Sequence, residues 1–240
     1  MKNMVLIMKK TMKALRTYAP HDMRIEEVPM PVLSDGEILI KVRGCGICAG
    51  DIKMLNGGIR IWGATENRFI QPPVISGHEF FGEVVDFDSN VKDVAIGDLL
   101  ISEQIIPCGE CRFCREGSYW MCQNRSFYGL RTDAQGGFAE YMKFHKKGLN
   151  HKIPKNFTIE QGVLIEPLSC GMHAVDRGKI GHNDIVVISG MGAIGLGMVA
   201  VARAQMPKMI IGLDLRQNRL ELGIKGLLNL RNLIKISNTN

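Results

Sequence analysis

Up to about residue 154 the chain places its apolar residues in short runs broken by glycine. Beyond that point they fall at helical spacing and in two short apolar blocks. The turn Ser34-Asp35-Gly36 launches a predicted strand over 37–42, and further strands are predicted around Phe80, Val84 and Val85, over 97–101 and over 136–142. Residues 54–73, with Asn56-Gly57-Gly58 and Pro72-Pro73, read as a loop in which Trp62 either lines a pocket or covers core. With hardly any helix before residue 155, the pattern predicts a barrel-like all-β domain.

The period changes at Pro154. Thr158 and Gln161 have the spacing of a capping box, so a helix is predicted over 159–177, interrupted at Glu166-Pro167. A strand over 184–188, a small-residue helix over 193–205 and a strand over 209–213 follow. That order predicts a parallel α/β layer. The expected division is therefore a β-barrel domain over 1–165 and the start of a doubly wound parallel α/β domain over 166–240. No internal repeat or low-complexity tract interrupts this plan.

Composition adds limits. With 240 residues, 45% of them hydrophobic and 22% charged, the chain has enough apolar material for a sizeable core. The net charge of +6 is scattered, which reads as a solvated surface rather than a nucleic-acid face. The apolar run inside residues 1–11 is too short for a signal-peptide core or a membrane span, and Met8 and Met12 are alternative starts. Residues 1–11 are expected to be a loose extension, and the seven cysteines to sit in a reducing, cytoplasmic setting. Clustered cysteines there bind metal more often than they form disulfides.

Three constellations carry chemistry. Cys108, Cys111, Cys114 and Cys122 have the spacing C-x2-C-x2-C-x7-C, and four thiolates so close in sequence can close a structural zinc site within one loop, with an iron–sulfur cluster the lesser alternative. Gly77-His78-Glu79 and the isolated Cys48 offer imidazole, carboxylate and thiolate, a donor set for a catalytic zinc with one position left open. Gly44, Gly46 and Gly50 let the backbone bend around Cys48, while Cys45 reads as a small buried residue pointing elsewhere. Asp51 is the expected acceptor for the free N–H of His78. Glu166 is a second carboxylate for the metal, with Cys170 and His173 as alternatives that helix packing also explains. His21, His145, His151 and His182 have no supporting pattern.

The third constellation is Gly190-Met191-Gly192-Ala193-Ile194-Gly195, between a predicted strand and a predicted helix. The first glycine turns the chain, the second admits a pyrophosphate and the third lets helix and strand pack closely. Asp214 ends the next strand, where a carboxylate binds a ribose 2′-hydroxyl and repels a 2′-phosphate. NAD is therefore expected ahead of NADP, with Arg216 a nearby opposing charge.

Together, Gly46-Ile-Cys48-Ala-Gly-Asp51, Gly77-His78-Glu79-x-x-Gly82, the four-cysteine loop, Glu166-Pro167-Leu168 and the glycine turn resemble the zinc-dependent medium-chain alcohol and polyol dehydrogenases. The resemblance covers roughly residues 12–222. Its details look most like the sorbitol, threonine and erythritol/threitol branch. It implies a GroES-like catalytic β-barrel joined to a Rossmann domain, two zinc ions per chain, NAD, a small polyol substrate in the cleft and a homo-oligomer. The implied catalytic zinc set is Cys48, His78 and Glu79 or Glu166. The implied chemistry is oxidation of a secondary hydroxyl to a ketone, by metal stabilisation of the alkoxide and hydride transfer to nicotinamide. Gly50 stands where many members have Ser or Thr, and Asp88 where they have Gly or Ala. Family members continue for about another hundred residues, so a C-terminal truncation is expected, and with it the alternative of a non-catalytic zinc-binding fragment. A dehydrogenase of threonine or a simple alcohol is the remaining alternative.

Overall fold

The computed structural model describes residues 10–63 and 69–226 and divides the chain into two compact units, 1–164 and 165–240. The first unit is built from antiparallel sheets. Strands β1 (Thr11–Ala19) and β2 (Asp22–Pro29) form a hairpin, and β4 (Val74–Ile75) pairs with the other edge of β1. A second sheet has the order β10-β6-β5-β3-β9, with β3 at Ile38–Gly46, β5 at Glu79–Phe87, β6 at Leu99–Ser102, β9 at Tyr141–Phe144 and β10 at Asn150–Ile153. A short pair, β7 (Ile105–Ile106) and β8 (Ser126–Phe127), flanks the four-cysteine loop, which holds the single helical turn α3 (Arg112–Arg115).

β3 shows why the sheets stack. Ile38 and Ile40 join Phe80, Val84, Leu100 and Phe144 on one face, while Leu39 joins Met12, Val28, Val85 and Tyr141 on the other. Alternating side chains point to opposite faces of a strand, so both faces of this strand lie in core. The hairpin β1–β2 supplies the second layer, and the expected barrel-like β-domain is present. Residues 1–9 lie outside the described residues. Thr11 does not belong to a loose extension, because it pairs with Pro29 as the first residue of β1.

Several boundaries differ from the sequence pattern. Helix α1 (Ala49–Leu55) begins directly after Cys48, and α2 (Ile59–Trp62) lies inside the stretch expected to be loop. Both are short and held by tertiary contacts: Trp62 Nε1 donates to Met54 O at 2.7 Å, and the two side chains pack with Ile70, Val74, Phe127 and Leu130. Trp62 therefore covers core. Residues 136–140 run beside the sheets outside any strand, with the Gly136, Gly137 and Phe138 N–H groups donating to the carbonyls of Ile75, Gly77 and Ser76.

The capping box is present: Thr158 Oγ1 accepts from Gln161 N at 3.2 Å, and Gln161 Oε1 accepts from Thr158 N at 3.0 Å. It starts α4 (Ile159–Val163), and the helical stretch breaks at Leu164, not at Glu166-Pro167. Pro167 instead sits in the first turn of α5 (Ile165–Gly178), where its missing N–H has no intrahelical partner to lose.

The second unit pairs β11 (Ile185–Ser189) with β12 (Met209–Leu213) in parallel register from Ile185↔Met209 to Ser189↔Leu213. α6 (Ala193–Ala204) is the crossover, and α7 (Gln217–Gly226) follows β12. Val175, Ile188, Met191, Val199, Ala202, Ile210 and Leu220 form its core. This is the expected strand–helix–strand arrangement of a parallel α/β layer. The continuation beyond residue 226 lies outside the described residues.

Candidate functional site

The metal donors are brought together by the register of β3 on β5. Gly46 pairs with Glu79, Cys45 with Phe80 and Gly44 with Phe81. His78 precedes β5, after Gly77 at φ +92°, a left-handed conformation that glycine adopts without penalty. Cys48 lies just past the end of β3, at the N-cap of α1. Ligand atoms of Cys48, His78 and Glu79 consequently lie within 4.8 Å of one another.

Asp51 backs this group. Its Oδ2 accepts from Cys48 N at 2.8 Å, and its Oδ1 lies 3.6 Å from His78 Nδ1. Oδ1 is buried and has no hydrogen-bond partner, which leaves it poised for an imidazole N–H. Burial raises the Asp51 carboxyl above its ordinary range, while His78 and the Cys48 N–H pull it down. Burial also raises the Cys48 thiol; the Gly50 N–H opposes this, and the Glu79 and Asp51 carboxylates add to it. A thiol, two carboxylates and one imidazole in this half-buried space call for a cation. The mixture of soft sulfur, nitrogen and hard oxygen fits zinc with three protein ligands and an open position.

Cys45 points away from the donors. Its Sγ packs against the core beside Phe80, and burial pushes its thiol well above the ordinary value. Glu166 is in the first turn of α5 in the second unit, and its Oε1 accepts from Cys170 Sγ at 3.6 Å.

The four-cysteine loop closes on itself. Cys108, Cys111, Cys114 and Cys122 are all free thiols with sulfurs within 4.8 Å of one another. Cys111 and Cys114 are 3.5 Å apart, and Cys108 and Cys114 3.9 Å. A zinc–sulfur bond of about 2.3 Å gives a tetrahedral S···S edge of roughly 3.8 Å, so the spacing fits a closed zinc site. The backbone N–H of Cys114 and neighbouring donors bring the Cys111 thiol down to about 6, whereas burial pushes Cys114 up to about 12.

Two contacts that sequence spacing does not reveal tie this loop to the sheets. Lys147 Nζ donates to Cys108 O at 2.8 Å, and Tyr119 OH donates to Glu103 Oε2 at 2.8 Å. Both join residues far apart in sequence, so no local pattern could signal them.

In the second unit each glycine of the turn has a distinct role. Gly190 has φ +93°, and a Cβ there or on Gly192 would meet no atom within 4 Å. The turn thus presents open space at the N-terminus of α6, where helix N–H groups favour an anion. A Cβ on Gly195 would collide with Gly190 O. Ala193 and Ile194 form the first turn of α6. Asp214 Oδ2 accepts from Met191 N and Oδ1 from Arg216 N, each at 2.8 Å, and Arg219 Nη1 lies 3.5 Å away. The Arg216 N–H foremost, then Met191 N–H, holds the Asp214 carboxyl below its usual range, so it is ionised. The link from Asp214 to the glycine turn was not legible in the sequence. These features fit a dinucleotide's pyrophosphate and ribose.

A β-domain that gathers thiolate, imidazole and carboxylate around one point, followed by an α/β unit opening a glycine turn, has the plan of a zinc-type dehydrogenase. Residues 34–155 match the family model for the alcohol dehydrogenase GroES-like domain, and the chain belongs to that family. It is 43% identical over 219 residues to an erythritol/L-threitol dehydrogenase of Mycolicibacterium smegmatis, covering 89% of this chain and 60% of that protein. Among solved structures it is similar to a candidate zinc-binding dehydrogenase of Sinorhizobium meliloti 1021 bound to NADP, with TM-score 0.83, 30% identity and coverage of 95% of this chain and 62% of the other. An alcohol dehydrogenase of Escherichia coli CFT073 complexed with NADH gives TM-score 0.83 at 29% identity, covering 96% and 64%. The chain thus spans about 60% of the length of the M. smegmatis relative. Among the described residues no helix is long and apolar enough to cross a membrane.

Proposed function

We propose that these residues belong to a zinc-dependent, NAD-linked oxidoreductase that oxidises a secondary hydroxyl of a small polyol to a ketone. The observation that carries this reading is the convergence of Cys48, His78 and Glu79 within 4.8 Å, with Asp51 Oδ1 behind His78. Cys48, His78 and Glu79 would hold the catalytic ion. Such an ion supplies Lewis-acid stabilisation of a substrate oxygen.

The chain's own residues supply the rest. Asp51 orients His78 and fixes the Cys48 backbone. Cys108, Cys111, Cys114 and Cys122 would hold a second, structural zinc that braces the loop. Gly190, Gly192, Ala193, Ile194 and Gly195 would receive the pyrophosphate, and Asp214 the ribose diol, which favours NAD over NADP. Gly50 carries no hydroxyl, so the substrate's proton leaves by water, by a neighbouring substrate hydroxyl or by another residue. Small polyols are the substrate class because of the likeness to an erythritol/L-threitol dehydrogenase.

The test is to add erythritol or L-threitol with NAD to the protein and follow NADH, with and without a chelator. Chelator-sensitive NADH formation supports the assignment; chelator-insensitive turnover overturns it. A second reading is zinc binding without turnover, carried by the two donor groups alone. About two bound zinc ions without NAD binding in calorimetry would select it.

A further inference from the structure

Gly46 is the last residue of β3 and the register partner of Glu79. A Cβ built on Gly46 would overlap Glu79 Oε2 while standing 3.2 Å from Glu79 Cβ and 3.4 Å from Glu79 Cδ. The severe overlap is with the carboxylate oxygen, the far end of a flexible side chain, so most of its cost falls on where Glu79 points; the Glu79 Cβ, closer than ordinary contact, need give by only a few tenths of an ångström. Gly46 also lies outside the left-handed backbone region, so alanine suits its conformation.

Other glycines nearby are constrained differently. On Gly44 a Cβ would meet Val163 and Ile159, and on Gly82 it would meet the backbone of Lys41. Those positions serve packing. On Gly50 it would rest 3.6 Å from Cys48 Sγ and 3.8 Å from His78 Cε1, in ordinary contact. At Gly46 alone of these four does the missing side chain coincide with a donor oxygen.

We infer that Gly46 is a positioning residue: the empty side-chain volume on its strand is the space through which the Glu79 carboxylate turns toward Cys48 and His78. It selects a Cys/His/Glu donor set for the ion. With a methyl group there the carboxylate swings out and a Cys/His pair remains. The inference rests on the zinc reading of the site, and its test separates the two.

The experiment measures metal affinity by chelator competition on the whole chain for wild type, Gly46→Ala, Glu79→Ala and the double variant. Zinc at the four-cysteine loop serves as internal control, and Co2+ is the spectroscopic probe of donor number at the Cys48 site. Gly46→Ala is expected to lower affinity at that site about 10–100-fold, as loss of ligand support does. It should retain the loop zinc and give the same cobalt spectrum as Glu79→Ala. The double variant should fall within about twofold of Glu79→Ala, because a positioning residue has nothing left to position. Undiminished affinity in Gly46→Ala beside a loss in Glu79→Ala overturns the role of Gly46 and leaves the donor set standing. So do additive losses. Undiminished affinity in Glu79→Ala removes Glu79 from the donor set, and the inference fails with it.

Discussion

Asp51 joins two of the metal donors from behind: its Oδ2 takes the backbone N–H of Cys48 at 2.8 Å and its Oδ1 faces His78 Nδ1 at 3.6 Å. The Asp51 side chain is 5% exposed, so its carboxylate has little solvent to turn to. Asp51→Asn keeps the shape and removes the charge that orients the imidazole. Zinc affinity at the Cys48 site should fall about 10–100-fold, with the loop zinc retained. Chelator competition reads this directly, and unchanged affinity would remove Asp51 from the site.

The two cysteine groups should separate under mutation. Cys48→Ala should lower bound zinc from two ions to one and abolish turnover, with little change in Tm. Cys111→Ala should also lose one ion but chiefly lower Tm, because a zinc there would brace the loop alongside contacts such as Lys147 Nζ to Cys108 O. Metal analysis with thermal melts distinguishes them; retained turnover in Cys48→Ala would sink the assignment of the catalytic site.

Gly192 and Gly195 make opposite predictions within one motif. A methyl on Gly195 meets Gly190 O, so Gly195→Ala should destabilise the second unit by about 1–3 kcal/mol through overpacking. A methyl on Gly192 meets nothing within 4 Å, so Gly192→Ala should leave stability near that of wild type and weaken NAD binding. Denaturation and calorimetry on the pair check both halves.

Asp214→Ala should reduce the preference for NAD over NADP by about tenfold, the loss of a charge-assisted hydrogen bond to the ribose. The same change releases Met191 N, so affinity for both cofactors should drop somewhat. A preference that stays intact would count against Asp214 as the ribose ligand.

Asp98 sets a pH dependence. Lys152 Nζ donates to its Oδ2 at 2.8 Å, Ala95 N donates to the same atom at 3.0 Å, and Lys155 Nζ stands 3.6 Å from Oδ1. The Lys152 hydrogen bond foremost holds the Asp98 carboxyl below its ordinary range. A depressed folded value means the carboxylate stabilises the fold above its unfolded value of about 3.9, and this stabilisation is lost as pH falls through the folded value. Asp98→Asn should therefore melt below wild type at neutral pH, with the gap closing under about pH 4. A gap that persists unchanged at low pH would show that the carboxylate charge is not responsible.

Local spacing carried much of this protein. The four-cysteine loop, the glycine turn between β11 and α6, and the Thr158–Gln161 box are each written within a few residues. Their geometry follows from short-range chain constraints, so the sequence by itself determined them. The same holds for the change from β pattern to strand–helix–strand near residue 154. The alternation in β3 likewise announced a strand, though not that both of its faces would be buried.

Tertiary structure decided what depends on register and packing. Helices α1 and α2 were hidden because they are short and held by Trp62, Met54 and their neighbours rather than by amphipathic period. Cys48 and Asp51 were legible as residues, but the cap of α1 is what aims Asp51 at His78. Glu79 joins the donors because β3 and β5 pair with Gly46 opposite it, and a shift of one residue would turn its side chain to the other face. Sequence supplied the donor types; the pairing of two strands far apart in the chain decided which of them meet.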